Sequence, residues 1–76
     1  MKKEQQMIEY MVQDLVEMLS EEQGMEYDTA MYTLYNSQVY DKLIDIETGL
    51  YKESPSYVYA LLQDEIKFGY ILQAEI

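Results

Sequence analysis

The sequence contains no cysteine, histidine, arginine or tryptophan, and only one proline and three glycines in 76 residues. Without Cys the chain has no disulfide and no thiolate metal ligand, and without His it lacks the usual zinc ligand and general base. The isolated Gly residues form no phosphate-binding loop, and no Ser-x-x-Lys spacing pairs a nucleophile with a base. We therefore predict a protein that is not an enzyme and has no catalytic residue and no cofactor.

Calcium is the metal that the remaining carboxylates suit best, and Asp45, Glu47 and Glu53 supply oxygen ligands near Gly49. An EF-hand loop needs Gly at its sixth position and Glu at its twelfth. Counted from Asp45, these positions hold Leu50 and Ser56. We predict no metal site.

Positive charge is also scarce, because five Lys oppose fifteen Asp and Glu and give a formal net charge of −10. Such a surface repels nucleic-acid backbones and anionic membranes, so we expect no direct nucleic acid binding and no membrane binding. It attracts a basic protein. No apolar run is long enough to cross a bilayer, and acidic residues interrupt the segment after Lys2 and Lys3. We therefore predict a cytoplasmic protein without an export signal.

Apolar and aromatic residues make up 49% of the chain and follow helical periods, which predicts a folded domain rather than a disordered chain. A chain of 76 residues can form one domain with a modest core. We predict an all-α fold in which residues 1–76 form a single compact bundle of about four helices. The middle two helices should be short, with at most a vestigial two-stranded β element.

The first predicted helix covers residues 2–23 and ends at Gly24, which can adopt the left-handed cap. Its apolar arc spans about 180°, whereas a surface helix needs only about 100°. One edge of this arc carries three methionines, Met7, Met11 and Met18. Because Met adapts its shape to an opposing surface, we expect this edge, with Tyr10 on the adjoining polar side, to contact a second chain. The alternative is burial under the protein's own C-terminal tail.

The middle of the chain, residues 27–46, contains two apolar pairs that an unbroken helix would place on opposite sides. These pairs are Ala30 with Leu34, and Val39 with Leu43. A break at Asn36-Ser37 allows both pairs to face one core. Asn36 tolerates the left-handed conformation that ends a helix, and Ser37 can cap the next one. A single curved helix with both polar residues exposed is the alternative.

Turn and cap residues predict the other boundaries. Asp28 should cap the second helix, which would then run from Thr29 to about Tyr35. The third helix should cover residues 38–45, followed by a turn in which Gly49 has a positive φ. Residues 50–53 should be extended. Ser54-Pro55 should begin a last helix that reaches about Phe68, and residues 70–76 should form a short strand or a packed tail.

Glu65 is predicted to be a buried carboxylate. It falls within the apolar side of the last helix, whose other members are Val58, Leu61, Leu62, Ile66 and Phe68. A buried carboxylate needs hydrogen-bond partners, and here these would be Tyr hydroxyls, a Lys or backbone N–H groups. A partly exposed position at the helix edge is the alternative.

Nine tyrosines make the chain tyrosine-rich. Tyr combines a large contact area with a polar end, so it suits protein interfaces and equally the boundary of a thin core. The run LYNSQVYDKLIDIETGLYKESPSYVYALLQDEIKFG, with its Tyr-Asn-Ser joint, Glu-Thr-Gly-Leu-Tyr turn and Ser-Pro helix start, resembles a family of small bacterial proteins of unknown function. That resemblance implies gut or anaerobic bacteria and gene clusters linked to toxins and antitoxins. It implies no activity.

Three functions fit the sequence. The first is a protein–protein interaction or regulatory module, such as an antitoxin-like partner of a basic protein. The second is a structural homo-oligomer, for example a homodimer assembled through the first helix. The third is an acidic DNA mimic whose carboxylates occupy a nucleic-acid-binding groove.

Overall fold

A computed structural model describes residues 3–69, which form four α-helices and two short 3₁₀-helical turns. The helices are α1 (Lys3–Gln23), α2 (Tyr27–Tyr35), α3 (Gln38–Ile44) and α4 (Pro55–Phe68), and the 3₁₀ turns are Ile46–Thr48 and Leu50–Lys52. Within this part of the chain there is no β-strand. The predicted all-α bundle of about four helices with two short middle members is confirmed.

The end of α1 follows the sequence prediction. Gly24 has φ +70°, the left-handed conformation that Gly adopts without a steric penalty. The Ser20 hydroxyl donates a hydrogen bond to the Met25 carbonyl at 3.0 Å, and the Met25 side chain packs against the core. These contacts turn the chain directly from α1 into α2.

The start of α2 differs from the sequence prediction. The helix begins at Tyr27, with Glu26 at the N-cap and no side-chain capping bond. The Ala30 N–H already donates to the Glu26 carbonyl at 2.9 Å, which places Asp28 inside the first turn rather than at the cap. The prediction that Asp28 is the N-cap is therefore wrong. Its carboxylate still lies where the helix dipole favours a negative charge.

The break between α2 and α3 is confirmed at Asn36-Ser37. Ser37 has extended backbone angles, and its hydroxyl oxygen accepts a hydrogen bond from the Tyr40 N–H at 3.0 Å. Asn36 has φ −99°, so the turn does not use the expected left-handed residue. Both apolar pairs on either side of the break are buried, as the phase argument required.

Residues 50–52 form a 3₁₀ turn rather than extended backbone, so the prediction for residues 50–53 is wrong except at Glu53, which is extended. Leu50 and Tyr51 are both buried, whereas consecutive residues of a strand point to opposite faces. Gly49, at φ +70°, reverses the chain as predicted. The Thr48 hydroxyl donates to the Lys42 carbonyl at 2.6 Å and accepts from the Leu50 N–H at 3.2 Å. These bonds hold the turn against the end of α3.

The last helix begins as predicted, with Pro55 at its first turn and the Ser54 hydroxyl oxygen accepting from the Tyr57 N–H at 3.2 Å. It ends at Gly69, which has φ +81°. Two predicted members of its apolar side are exposed instead, since Ile66 is 44% and Phe68 50% accessible. The prediction for residues 70–76 falls outside the described part of the chain.

The core is one cluster to which all four helices and the Leu50–Lys52 turn contribute. Its buried members are Met11, Leu15, Val16, Leu19, Ala30, Leu34, Val39, Leu43, Leu50, Tyr51, Val58, Tyr59, Leu61 and Leu62. None of the helices between residues 3 and 69 combines the length and apolar character needed to cross a bilayer.

Candidate functional site

The four residues predicted to form an interaction surface on α1 do not lie together on an open face. Met11 belongs to the core and is only 4% exposed, and Met18 is half-buried against the same core. Met7 and Tyr10 remain accessible, and Tyr10 is 65% exposed. A partner could therefore reach Met7 and Tyr10 without disturbing the fold, whereas Met11 presents very little surface to it.

A shallow opening on this methionine side of α1 does bring three of the predicted residues near one another. Met7, Tyr10 and Met11 line it. The facing wall comes from the Leu50–Lys52 turn and the start of α4, and it includes Tyr51, Lys52 and Pro55. The Lys52 ammonium lies 5.7 Å from the centre of the Tyr51 ring. Asp14 and Glu53 also line this opening, so two carboxylates accompany its single cation.

The opposite side of α1 borders a second opening, which we call the tyrosine groove. Its lining residues are Ile8, Glu9, Val12, Gln13, Tyr35 and Tyr40, and its volume is about 300 Å³. Ile8 and Val12 are half-buried and pack on the core, so their outer surfaces form an apolar floor. Glu9 and Gln13 are exposed beside this floor. The groove therefore combines an apolar floor with an acidic edge.

Two tyrosines form the wall of the tyrosine groove opposite α1. Tyr35 is the last residue of α2, and Tyr40 lies in the first turn of α3. Their rings meet edge to face, with centroids 5.0 Å apart and planes at 68°, a favourable arrangement for an aromatic pair. Tyr35 is 43% exposed. The break at Asn36-Ser37 thus creates the wall, because it turns the chain between the two rings.

Glu65 reaches this break from α4. One carboxylate oxygen, Oε2, accepts a hydrogen bond from the Gln38 N–H at 2.7 Å, and the other, Oε1, accepts from the Val39 N–H at 3.1 Å. The residue is half-buried, and its partners are backbone N–H groups, one of the three classes considered from the sequence. Glu65 therefore caps a helix other than its own.

Between residues 3 and 69, no group of three Asp or Glu side chains could hold a metal ion. Tyr59 is buried, and its hydroxyl donates to the Met18 carbonyl and accepts from the Gln23 amide, both at 3.4 Å. These contacts connect α4 to α1.

Sequence reasoning missed the tyrosine groove because its residues come from three separate helices. The available signal was the presence of Ile8 and Val12 on the apolar arc of α1, away from its methionine edge, together with a tyrosine on each side of the predicted break. Comparison of the chain with protein-family models, with curated proteins and with solved structures gave no match. The resemblance to a bacterial family of unknown function stays a prediction.

Proposed function

We propose that this chain is a protein-interaction module that binds a basic protein partner in the tyrosine groove and has no catalytic activity of its own. The observation that carries the proposal is the composition of the groove. Aliphatic and aromatic side chains line it, Glu9 lies at its edge, and none of its six described lining residues is cationic. The resemblance to antitoxin-linked bacterial proteins supports a regulatory role of this kind in the cytoplasm.

The size of the groove favours side chains of a protein over a small molecule. Small-molecule sites usually enclose about 300–1,000 Å³ and bury most of the ligand. The tyrosine groove is at the lower limit of that range and is open along α1. Tyrosines at the centre of a contact are among the residues that contribute most to protein binding. Tyr35 and Tyr40 are therefore the residues expected to contribute most to affinity.

Charge favours a basic partner over a second copy of this chain. A homodimer would bring together two molecules that each carry a net charge of −10, which opposes association. A partner with lysines or arginines around an apolar segment would be attracted by the same negative charge. Its apolar side chains would occupy the floor formed by Ile8 and Val12, and its cations would lie near Glu9.

The first experiment compares two tyrosines of α2. The tagged chain and its variants Tyr35→Ser and Tyr32→Ser are used to capture partners from the native cell. Tyr32 is a matched control because it lies one turn earlier and is 70% exposed, but it does not line the groove. We expect Tyr35→Ser to reduce capture of one basic polypeptide by about tenfold or more, and Tyr32→Ser to leave it unchanged. Equal capture by both variants would contradict the proposed site.

The second experiment tests charge at the groove. Glu9→Lys reverses a charge at the edge of the groove, and Glu17→Lys reverses an exposed charge on the same helix about two turns away. Both variants have the same net charge, so a general electrostatic effect would weaken binding equally. We expect Glu9→Lys to weaken binding of the captured partner several-fold more than Glu17→Lys. Equal effects would indicate attraction without a defined groove.

A further inference from the structure

We infer that Glu65 is a positioning residue for the tyrosine groove: from α4, it holds the first turn of α3 and thereby fixes the Tyr35–Tyr40 wall. The inference rests on the proposed function only in so far as the wall binds a partner. Glu65 does not line the groove itself. Its effect would therefore pass through the backbone of α3.

The hydrogen bonds at the start of α3 give the geometric basis. The first N–H groups of a helix have no partner within the helix, and side chains or water must satisfy them. Here the Gln38 and Val39 N–H groups both donate to Glu65, and the Tyr40 N–H donates to the Ser37 hydroxyl. Glu65 accepts two of these three bonds, and it lies 27 positions after Gln38 and 26 positions after Val39.

The short length of α3 makes these outside contacts important. It has seven residues, and an isolated helix of that length is unstable in water. Its orientation must therefore be set by contacts with other elements. Val39 and Leu43 anchor it in the core, and the Glu65 carboxylate fixes its first turn.

Tyr40 transmits this constraint to the groove. Its backbone lies next to Val39, whose N–H is held by Glu65, and its ring meets the Tyr35 ring across the break. Without the carboxylate, two partly exposed N–H groups would turn to water, and the first turn of α3 could unwind. The Tyr40 ring would then lose its fixed position beside Tyr35. The structure thus connects the position of α4 to the shape of the binding wall.

The test compares Glu65→Ala with Asp64→Ala. The second variant removes a carboxylate from the neighbouring position of α4, and this carboxylate accepts no hydrogen bond from α3. Amide hydrogen exchange and inter-ring nuclear Overhauser effects are measured by NMR on the free protein, so neither readout needs a partner. We expect the Gln38 and Val39 amides of Glu65→Ala to exchange about tenfold faster. We also expect weaker nuclear Overhauser effects between the Tyr35 and Tyr40 rings. Asp64→Ala should change neither.

Conservative variants separate hydrogen bonding from charge and keep the test valid if Glu65→Ala does not fold. Glu65→Gln keeps one acceptor oxygen at the same reach and replaces the other with an NH2 donor, so it can retain one of the two bonds. Glu65→Asp keeps the charge and both acceptor oxygens on a side chain one methylene shorter. We expect Gln to retain more of the wild-type exchange protection and ring contact than Asp. The reverse order would show that Glu65 acts through charge on the helix rather than through these bonds, and would overturn the inference.

The outcomes distinguish this inference from the proposed function. Unchanged ring contacts in Glu65→Ala, or equal changes in Asp64→Ala, overturn the positioning role even if the wild-type chain captures a partner. Weakened ring contacts establish the positioning role of Glu65 on the wall, and capture with the same variants then reports on binding. If the wild-type chain captures no basic partner, the proposed function fails while the effect of Glu65 on the wall stands.

Discussion

Ser37 is the one buried polar residue among the described part of the chain, and it uses both hydrogen-bonding capacities of its hydroxyl. The hydroxyl donates to the Leu34 carbonyl at 2.6 Å and accepts from the Tyr40 N–H at 3.0 Å. It therefore satisfies a carbonyl at the end of α2 and an N–H at the start of α3. A single oxygen atom links the two short helices.

Replacing this hydroxyl should lower the stability measurably. We expect Ser37→Ala to reduce the free energy of unfolding by about 1–2 kcal/mol, because both bonds are lost at a buried position. Ser37→Gly should cost less, as Gly is an acceptable N-cap. Urea denaturation followed by circular dichroism measures both changes. Ser56→Ala, at an exposed serine of α4, serves as the control and should change stability by less than about 0.5 kcal/mol.

Gly49 has backbone angles that favour glycine over other residues. At φ +70° a side chain is strained, although no atom lies within 4 Å of where a Cβ would be placed. Gly49→Ala should therefore cost about 1–2 kcal/mol from backbone strain alone. Gly49→Asn should cost less, because Asn tolerates the left-handed region. Equal costs for the two variants in thermal melts would contradict backbone strain at positive φ as the cause.

At the scale of elements, α1 explains why so wide an apolar arc can exist in this chain. It contacts α2, α4 and the Leu50–Lys52 turn, so several elements cover it rather than one. Leu15 and Leu19 lie at the centre of the arc and are fully buried, and Met11 and Val16 are nearly so. The sequence predicts an arc too wide for one packing partner, and the fold supplies three packing elements.

The methionines of α1 should therefore contribute different amounts to the free energy of unfolding. Met11→Ala is expected to lower the free energy of unfolding by about 2–5 kcal/mol, the usual cost of removing a buried Met side chain. Met7→Ala, at an exposed position one turn earlier, should cost less than about 0.5 kcal/mol. Urea denaturation measures both changes, and sedimentation reports whether the chain associates. If Met11 contributed to an association between chains, the loss of stability in Met11→Ala would depend on protein concentration.

At the scale of the whole molecule, the salt concentration decides how far the repulsion between carboxylates extends. The longest dimension is 32 Å, and the net charge is −10. The Debye length is about 30 Å at 0.01 M salt and about 8 Å at 0.15 M. At low salt, carboxylates on opposite sides of the molecule therefore still repel one another, and this repulsion opposes the compact state.

Stability should consequently increase with salt. We expect the melting temperature at neutral pH to rise by a few degrees between 0.01 M and 0.15 M NaCl, since about 1 kcal/mol corresponds to about 4–8 °C for a domain of this size. The double variant Glu17→Lys with Glu21→Lys changes the net charge from −10 to −6, because each reversal adds two charges. Its melting temperature should respond less to salt. An identical response in both proteins would show that the carboxylates are too dispersed to destabilise the fold.

The sequence by itself determined the class of fold and most helix ends. Gly24, the Ser54-Pro55 pair and Gly69 act within a few residues of where they stand, and the structure places helix ends at all of them. The phase change between Ala30–Leu34 and Val39–Leu43 likewise located the break at Asn36-Ser37. These features depend on helical periodicity and local hydrogen bonds, so the order of residues is sufficient to reveal them.

The tertiary structure alone decided which apolar residues are exposed and what surrounds the break. The 3₁₀ turn at Leu50–Lys52 arises because two consecutive side chains are buried, and the exposure of Ile66 and Phe68 depends on where α4 lies. The tyrosine groove joins residues of α1 to a wall made by α2 and α3, and Glu65 reaches Gln38 across 27 positions of sequence. Contacts between such distant residues depend on how the helices pack, and no local pattern in the sequence encodes that arrangement.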